Sequence, residues 1–170
     1  QEKNGFPFDK QKAVILEAEL REELERITKE LTQYVPPIPD RIFIPKRDNK
    51  TLGYKAGVPV QKYKVFKINS RDQLKYILGE HFGYQWLDTM YEIETDEDGE
   101  ETNRKLKLDE ESLQEIINDP KASDEVRHIA QLYSTAFMLS KRLGQLADGN
   151  QAWLKLLGDD NRIHGKVNPN

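Results

Sequence analysis

Two runs of apolar residues at helical spacing, one near each end, constrain this 170-residue chain more than anything else in it. The first is Ala13, Leu16, Leu20, Leu24, Ile27 and Leu31, spaced 3, 4, 4, 3 and 4, with Glu, Lys and Arg on the remaining faces. That spacing predicts one long helix with a single buried stripe, and Asp9 is placed to cap its start. The helix must end at Val35-Pro36-Pro37-Ile38-Pro39, because proline lacks the amide donor and pushes the preceding residue toward extended geometry. The second run is Ile129, Leu132, Ala136, Leu139, Leu143 and Leu146, spaced 3, 4, 3, 4 and 3, capped by Ser123 and broken at Gly149. Two such stripes can bury each other at a shallow angle, and their separation in sequence allows an antiparallel pair.

Between them lies a Pro-, Gly- and Lys-rich stretch in which Arg41-Ile42-Phe43-Ile44 and Lys64-Val65-Phe66 read as extended segments. Ser70 caps a shorter helix carrying Leu74, Ile77 and Leu78, ended by Gly79 or Gly83. Met90–Ile93 and Lys105–Leu108 alternate, with polar Thr95–Asn103 as a hairpin loop between them. Asp109 caps a helix that Asn118-Asp119-Pro120 terminates, and Trp153, Leu154 and Leu157 mark a last short helix. The expected class is mainly α with small β elements (α+β): two long antiparallel helices, shorter helices, a basic insertion and an acidic hairpin. One domain is expected over 1–170, with the insertion at 34–67, a hairpin-like excursion at 84–108 and the start of a strand at 159–170.

Chemistry is hard to find. Cysteine is absent, which removes disulfides, thiolate-ligated zinc, iron–sulfur clusters and thiol nucleophiles from these residues. His81, His128 and His164 form no metal-ligand spacing, and ordinary surface or core histidines are the better reading. Asp96-Glu97-Asp98-Gly99-Glu100 has a calcium-loop flavour, but positions six and twelve from Asp96 are Glu101 and Lys107 where an EF-hand needs Gly and Glu. Phosphate-cradling glycine loops and the hydrolase nucleophile elbow are missing, and no apolar run approaches the roughly 20 residues that cross a bilayer. The expectation is therefore no catalytic residue and no metal ligand in this stretch.

Charge is more informative than its formal total of −4 suggests. From Tyr34 to Lys67 there are eight basic and two acidic residues, while from Glu92 to Asp119 there are twelve acidic and three basic. One acidic element sets the overall sign. Lys141, Arg142 and Gln145 sit beside the apolar stripe at the end of the second long helix, with Lys155, Arg162 and Lys166 soon after. Phosphate binding competes here with two ordinary explanations: cations complement a helix C-terminus, and Lys and Arg populate any solvated face.

The run Ser140-Lys141-Arg142-Leu143-Gly144-Gln145-Leu146-Ala147-Asp148-Gly149-Asn150-Gln151-Ala152-Trp153-Leu154, followed by Gly158–Asn170, resembles family A DNA polymerases of the phage replicative branch. Asn4-Gly5-Phe6-Pro7-Phe8-Asp9 resembles that family's junction between exonuclease domain and first thumb helix. Tyr54–Pro59 with Phe66–Leu74 resembles the segment re-entering the thumb after an insertion. The resemblance implies a thumb that closes over the minor groove of primer–template duplex during phage replication, in the cytoplasm of a bacterial host. It places DNA contacts at Lys141, Arg142, Gln145, Arg162, His164, Lys166 and Asn168, where cations neutralise phosphates and amides meet the degenerate minor-groove pattern.

The same resemblance implies further DNA or processivity-factor contacts at Lys46, Arg47, Lys50, Lys55, Lys62 and Lys64. One phage branch binds host thioredoxin at a longer insertion; the shortness of this one argues against thioredoxin. The family's exonuclease carboxylates would precede Gln1, and the palm aspartates that hold Mg2+ for nucleotidyl transfer would follow Asn170. The expectation is a piece of a longer nucleotidyltransferase, a domain fragment or a split-gene product, inactive alone and joined to the remaining polymerase domains. The competing expectation is a non-enzymatic helical module whose basic insertion binds an acidic protein partner.

Overall fold

The structure, a computed structural model, describes residues 6–163. In chain order these form β1 (Phe6–Pro7), α1 (Lys10–Thr32), β2 (Ile38–Phe43), β3 (Val60–Lys64), α2 (Arg71–Lys75), β4 (Tyr91–Thr95), β5 (Glu101–Leu106), α3 (Glu110–Asn118), α4 (Asp124–Leu143), α5 (Trp153–Leu156) and β6 (Arg162–Ile163). The α+β expectation holds. Asp9, Ser70, Asp109 and Ser123 each cap a helix as expected, accepting from the backbone amides of Lys12, Gln73, Ser112 and Val126.

Helices α1 and α4 pack antiparallel. His128, near the start of α4, approaches Glu30 near the end of α1 at 3.0 Å, while Arg21 reaches Asp148 beyond the far end of α4 at 2.6 Å. Ile27, Leu31, Ile129, Ala136, Leu139 and Leu143 are buried between the elements, whereas Leu24 and Leu132 are half-buried. Leu16 departs from the expected stripe and is exposed. Ala13 and Leu20 on either side of it are buried, so the covered face of α1 is centred on Ala13, Leu20, Ile27 and Leu31, and Leu16 falls at its edge. A second buried stripe on α4, Val126, Ala130 and Tyr133, was not anticipated. It arises because α4 has two neighbours, α3 packing along it as well, with Gln114 Nε2 donating to Ser134 Oγ at 3.3 Å.

The segment after α1 folds as a long hairpin. β2 and β3 pair antiparallel with a bulge between Pro39 and Ile42, which accommodates a proline that cannot donate. Farther out Asn49 and Tyr54 exchange backbone bonds of 2.8 and 2.9 Å. Of the extended run Lys64-Val65-Phe66, only Lys64 belongs to β3. Beyond it the buried amide of Gln73 takes the backbone groups instead, accepting from Lys67 N and donating to Val65 O.

After α2 the backbone loosens into a π turn, Tyr76–His81, and stops at Gly83, whose φ of +69° suits glycine. The acidic hairpin β4–β5 has longer strands and a shorter turn than the Thr95–Asn103 loop read from the sequence. Its strands run to Thr95 and from Glu101, so only Asp96–Glu100 forms the turn, with Asp96 Oδ1 accepting from the amides of Asp98 and Glu100. The stretch from Tyr84 to Met90 precedes the hairpin, which begins at Tyr91 rather than at 84. Finally, β6 pairs antiparallel with β1, Phe6 opposite Ile163 and Pro7 opposite Arg162, so the first and last described strands lie side by side. Two-residue strands carry no periodicity, and nothing in the sequence announced this pairing.

Candidate nucleic-acid interface

At the end of α4 the α-helical pattern gives way to a π turn over Gly144–Asp148. Gly149 N–H closes it by donating to Gly144 O at 2.8 Å. A Cβ on Gly149 would stand 2.5 Å from that oxygen, so only glycine fits the approach. Lys141 and Arg142 occupy the last turn of α4 and Gln145 the π turn; all three are exposed, while Leu143 and Leu146 between them are buried. The alternation fixes three polar side chains outward on a backbone anchored by its apolar neighbours. No carboxylate of a described residue forms a salt bridge with Lys141 or Arg142, although Lys141 shares a groove with Arg71, Asp109, Glu110, Glu111 and Phe137. Arg142 and Gln145 do not line that groove.

The other expected contacts fall into three groups. Arg162 is half-buried on β6, with its amide donating to Asp160 Oδ1 at 3.1 Å, and lies beyond α5 rather than on the α4 end itself. His164, Lys166 and Asn168 lie outside the described residues. Lys46, Arg47, Lys50, Lys55 and Lys64 are exposed on the β2–β3 hairpin, but Lys62 is drawn inward. Its ammonium sits 4.4 Å from the Tyr54 ring centre and 5.6 Å from that of Phe43, and it bonds the Tyr54 hydroxyl. Lys62 therefore holds the hairpin together and is less available to an external partner than its neighbours.

The hairpin is apolar as well as basic. Ile42, Phe43, Ile44, Leu52, Val58, Tyr63 and Val65 are all exposed along it. The acidic side of the molecule, by contrast, consumes its own cations: Arg104 pairs with Asp88 and stacks over Tyr91, and Lys107 lies 3.1 Å from Asp109. The Ser112 amide, then the Lys107 ammonium, hold the Asp109 carboxyl down at about 2. His128 is a helix-to-helix contact, against Glu30 and edge-on to Tyr34, which agrees with its ordinary reading. Among the described residues no group of three His, Cys, Asp or Glu side chains is arranged to hold a metal ion, and no helix is long and apolar enough to cross a membrane.

Sequence reasoning missed Arg21 and Asp148. Arg21 Nη2 and Nη1 donate to Asp148 Oδ1 and Oδ2 at 2.6 and 3.4 Å, across 127 residues of chain. The only available signal was that both flank the paired stripes, which spacing cannot convert into a contact.

No protein-family model matches the chain. It is similar along its whole length to the DNA-directed DNA polymerases of Escherichia phage T7 and Enterobacteria phage T3, at 30% identity in each case. The alignment runs over 213 residues against the 170 of this chain, so the relatives carry additional residues within the matched stretch. The chain spans 28% of the length of each relative.

Proposed function

We propose that this chain is the thumb-type, duplex-gripping part of a family A DNA-directed DNA polymerase that replicates phage DNA in the host cytoplasm. One observation carries the reading: the similarity to phage DNA polymerases extends over all 170 residues. The geometry supports it from the other side. Lys141 and Arg142 at the end of α4 and Gln145 in the π turn after it are all exposed, two phosphate-neutralising cations beside one amide that can both donate and accept. Such a set holds duplex without reading its sequence, as replication demands. Nucleotidyl transfer, with its Mg2+ ions and their aspartates, belongs in this reading to polymerase domains outside the stretch, and this chain alone is inactive.

Within the same reading, the exposed Lys and apolar side chains of the β2–β3 hairpin form the contact for a protein processivity factor with an acidic, apolar face. An acidic partner bound there without any polymerase is the second reading. Duplex binding separates the two: the thumb reading requires salt-sensitive DNA binding that weakens in Arg142→Ala, whereas the partner reading leaves Arg142 without a role.

A further inference from the structure

The π turn at Gly144–Asp148 is a departure from α-helical geometry that something must hold, since π segments are rare and brief. Leu146 anchors its inner side in the core. Its last residue, Asp148, is fastened from outside. Both carboxylate oxygens accept from Arg21, and the Asp148 carbonyl accepts from Lys155 Nζ at 2.8 Å. Arg21 is itself oriented by Glu17 one turn earlier on α1, which accepts from Nε at 3.0 Å and from Nη2 at 2.8 Å.

A continuous chain of side-chain bonds thus runs from α1 to the turn that carries Gln145 and follows directly on Lys141 and Arg142. The pair is ill suited to a stabilising role, because the side chains of Arg21 and Asp148 are 48% and 52% exposed and exposed ion pairs contribute little to stability. What a forked guanidinium on a carboxylate does supply is direction.

We infer that Arg21 is a positioning residue, acting through Asp148 to set the orientation of the π turn and so the aim of the uncharged Gln145 amide toward duplex DNA. The inference rests on the proposed duplex-gripping function and deepens it. It makes a prediction that simple charge does not. If Arg21 and Asp148 acted only through their charges on nearby phosphates, Arg21→Ala would weaken DNA binding and Asp148→Ala would strengthen it. Positioning requires both to weaken it, each by about 5- to 10-fold, the size of one lost contact.

The test is fluorescence-anisotropy titration of a labelled 20-base-pair duplex with this chain across a salt series. The variants are Arg21→Ala, Asp148→Ala, the exchanged pair Arg21→Asp with Asp148→Arg, and Arg142→Ala; urea midpoints verify that each is folded. Expected are losses in both single alanine variants with the salt slope unchanged, and recovery of at least half of the lost affinity in the exchanged pair. Unchanged or tighter binding by Asp148→Ala, or a shallower salt slope in Arg21→Ala, overturns the inference. If Arg142→Ala weakens binding while Asp148→Ala does not, the inference alone fails. If neither weakens it, the duplex-gripping function fails as well.

Discussion

Two buried tyrosines, nearly alike in burial, should respond to the loss of their hydroxyls in opposite directions. Tyr133 on α4 is fully buried, and its hydroxyl meets no hydrogen-bond partner among the described residues. Tyr84 is 7% exposed, and its hydroxyl donates to Asp119 Oδ2 at 3.0 Å; that carboxylate also accepts from the Lys121 amide and so organises the connection between α3 and α4. Leaving a polar group buried without a partner costs about 1–3 kcal/mol, so Tyr133→Phe, which keeps the ring and its edge-on contact with Phe137, should stabilise by about 1–2 kcal/mol. Tyr84→Phe removes a hydrogen bond to a carboxylate and should destabilise by about 1.5–3 kcal/mol.

Urea titration at neutral pH measures both as shifts in midpoint at constant slope. A pH series adds a second reading. Burial pushes the Tyr133 phenol above its ordinary range, and burial followed by the bond to Asp119 does the same for Tyr84. Their contribution is complete below about pH 10, where unfolded tyrosine also stays protonated; above it unfolding releases protons, and stability falls as pH rises. Each Phe variant should remove its share of that alkaline loss. A Tyr133→Phe variant less stable than the parent by more than about 1 kcal/mol, beside a neutral Tyr84→Phe, would refute the reasoning.

Ile27→Ala should cost about 2–5 kcal/mol, since Ile27 is fully packed between α1 and α4. Leu16→Ala, at the exposed edge of the α1 stripe, should cost under about 0.5 kcal/mol, and urea midpoints compare them directly. Asp109→Ala removes the α3 cap and should cost about 1 kcal/mol at neutral pH. Because the folded Asp109 pKa lies near 2, below its unfolded value, that contribution is present above about pH 4 and lost as pH falls through 2, so the two proteins should converge there in acid titration.

Much of this fold was legible because it is local. Helix caps at Asp9, Ser70, Asp109 and Ser123 depend on residues three positions apart, and the long stripes report a burial that repeats every turn. What escaped depends on distant partners. The stripe at Val126, Ala130 and Tyr133 exists because α3 packs on α4 as well, and β3 stops at Lys64, where the amide of Gln73 takes the backbone groups of Val65 and Lys67. Lys62 looked like any other hairpin cation until Tyr54 and Phe43 closed on it. At the α4 end the polar residues could be read from sequence, but not the π turn that sets the aim of Gln145, nor Arg21, which reaches it from 127 residues away.

The central claim is that the end of α4 grips duplex DNA through its phosphates. Its most direct test is the salt dependence of duplex binding by this chain and its Arg142→Ala variant, with urea midpoints matched. The account predicts weak binding that falls steeply with salt, and a variant whose slope of log K against log salt is shallower by about 0.9, the signature of one released counterion. An Arg142→Ala variant with the parent's affinity and slope would contradict it.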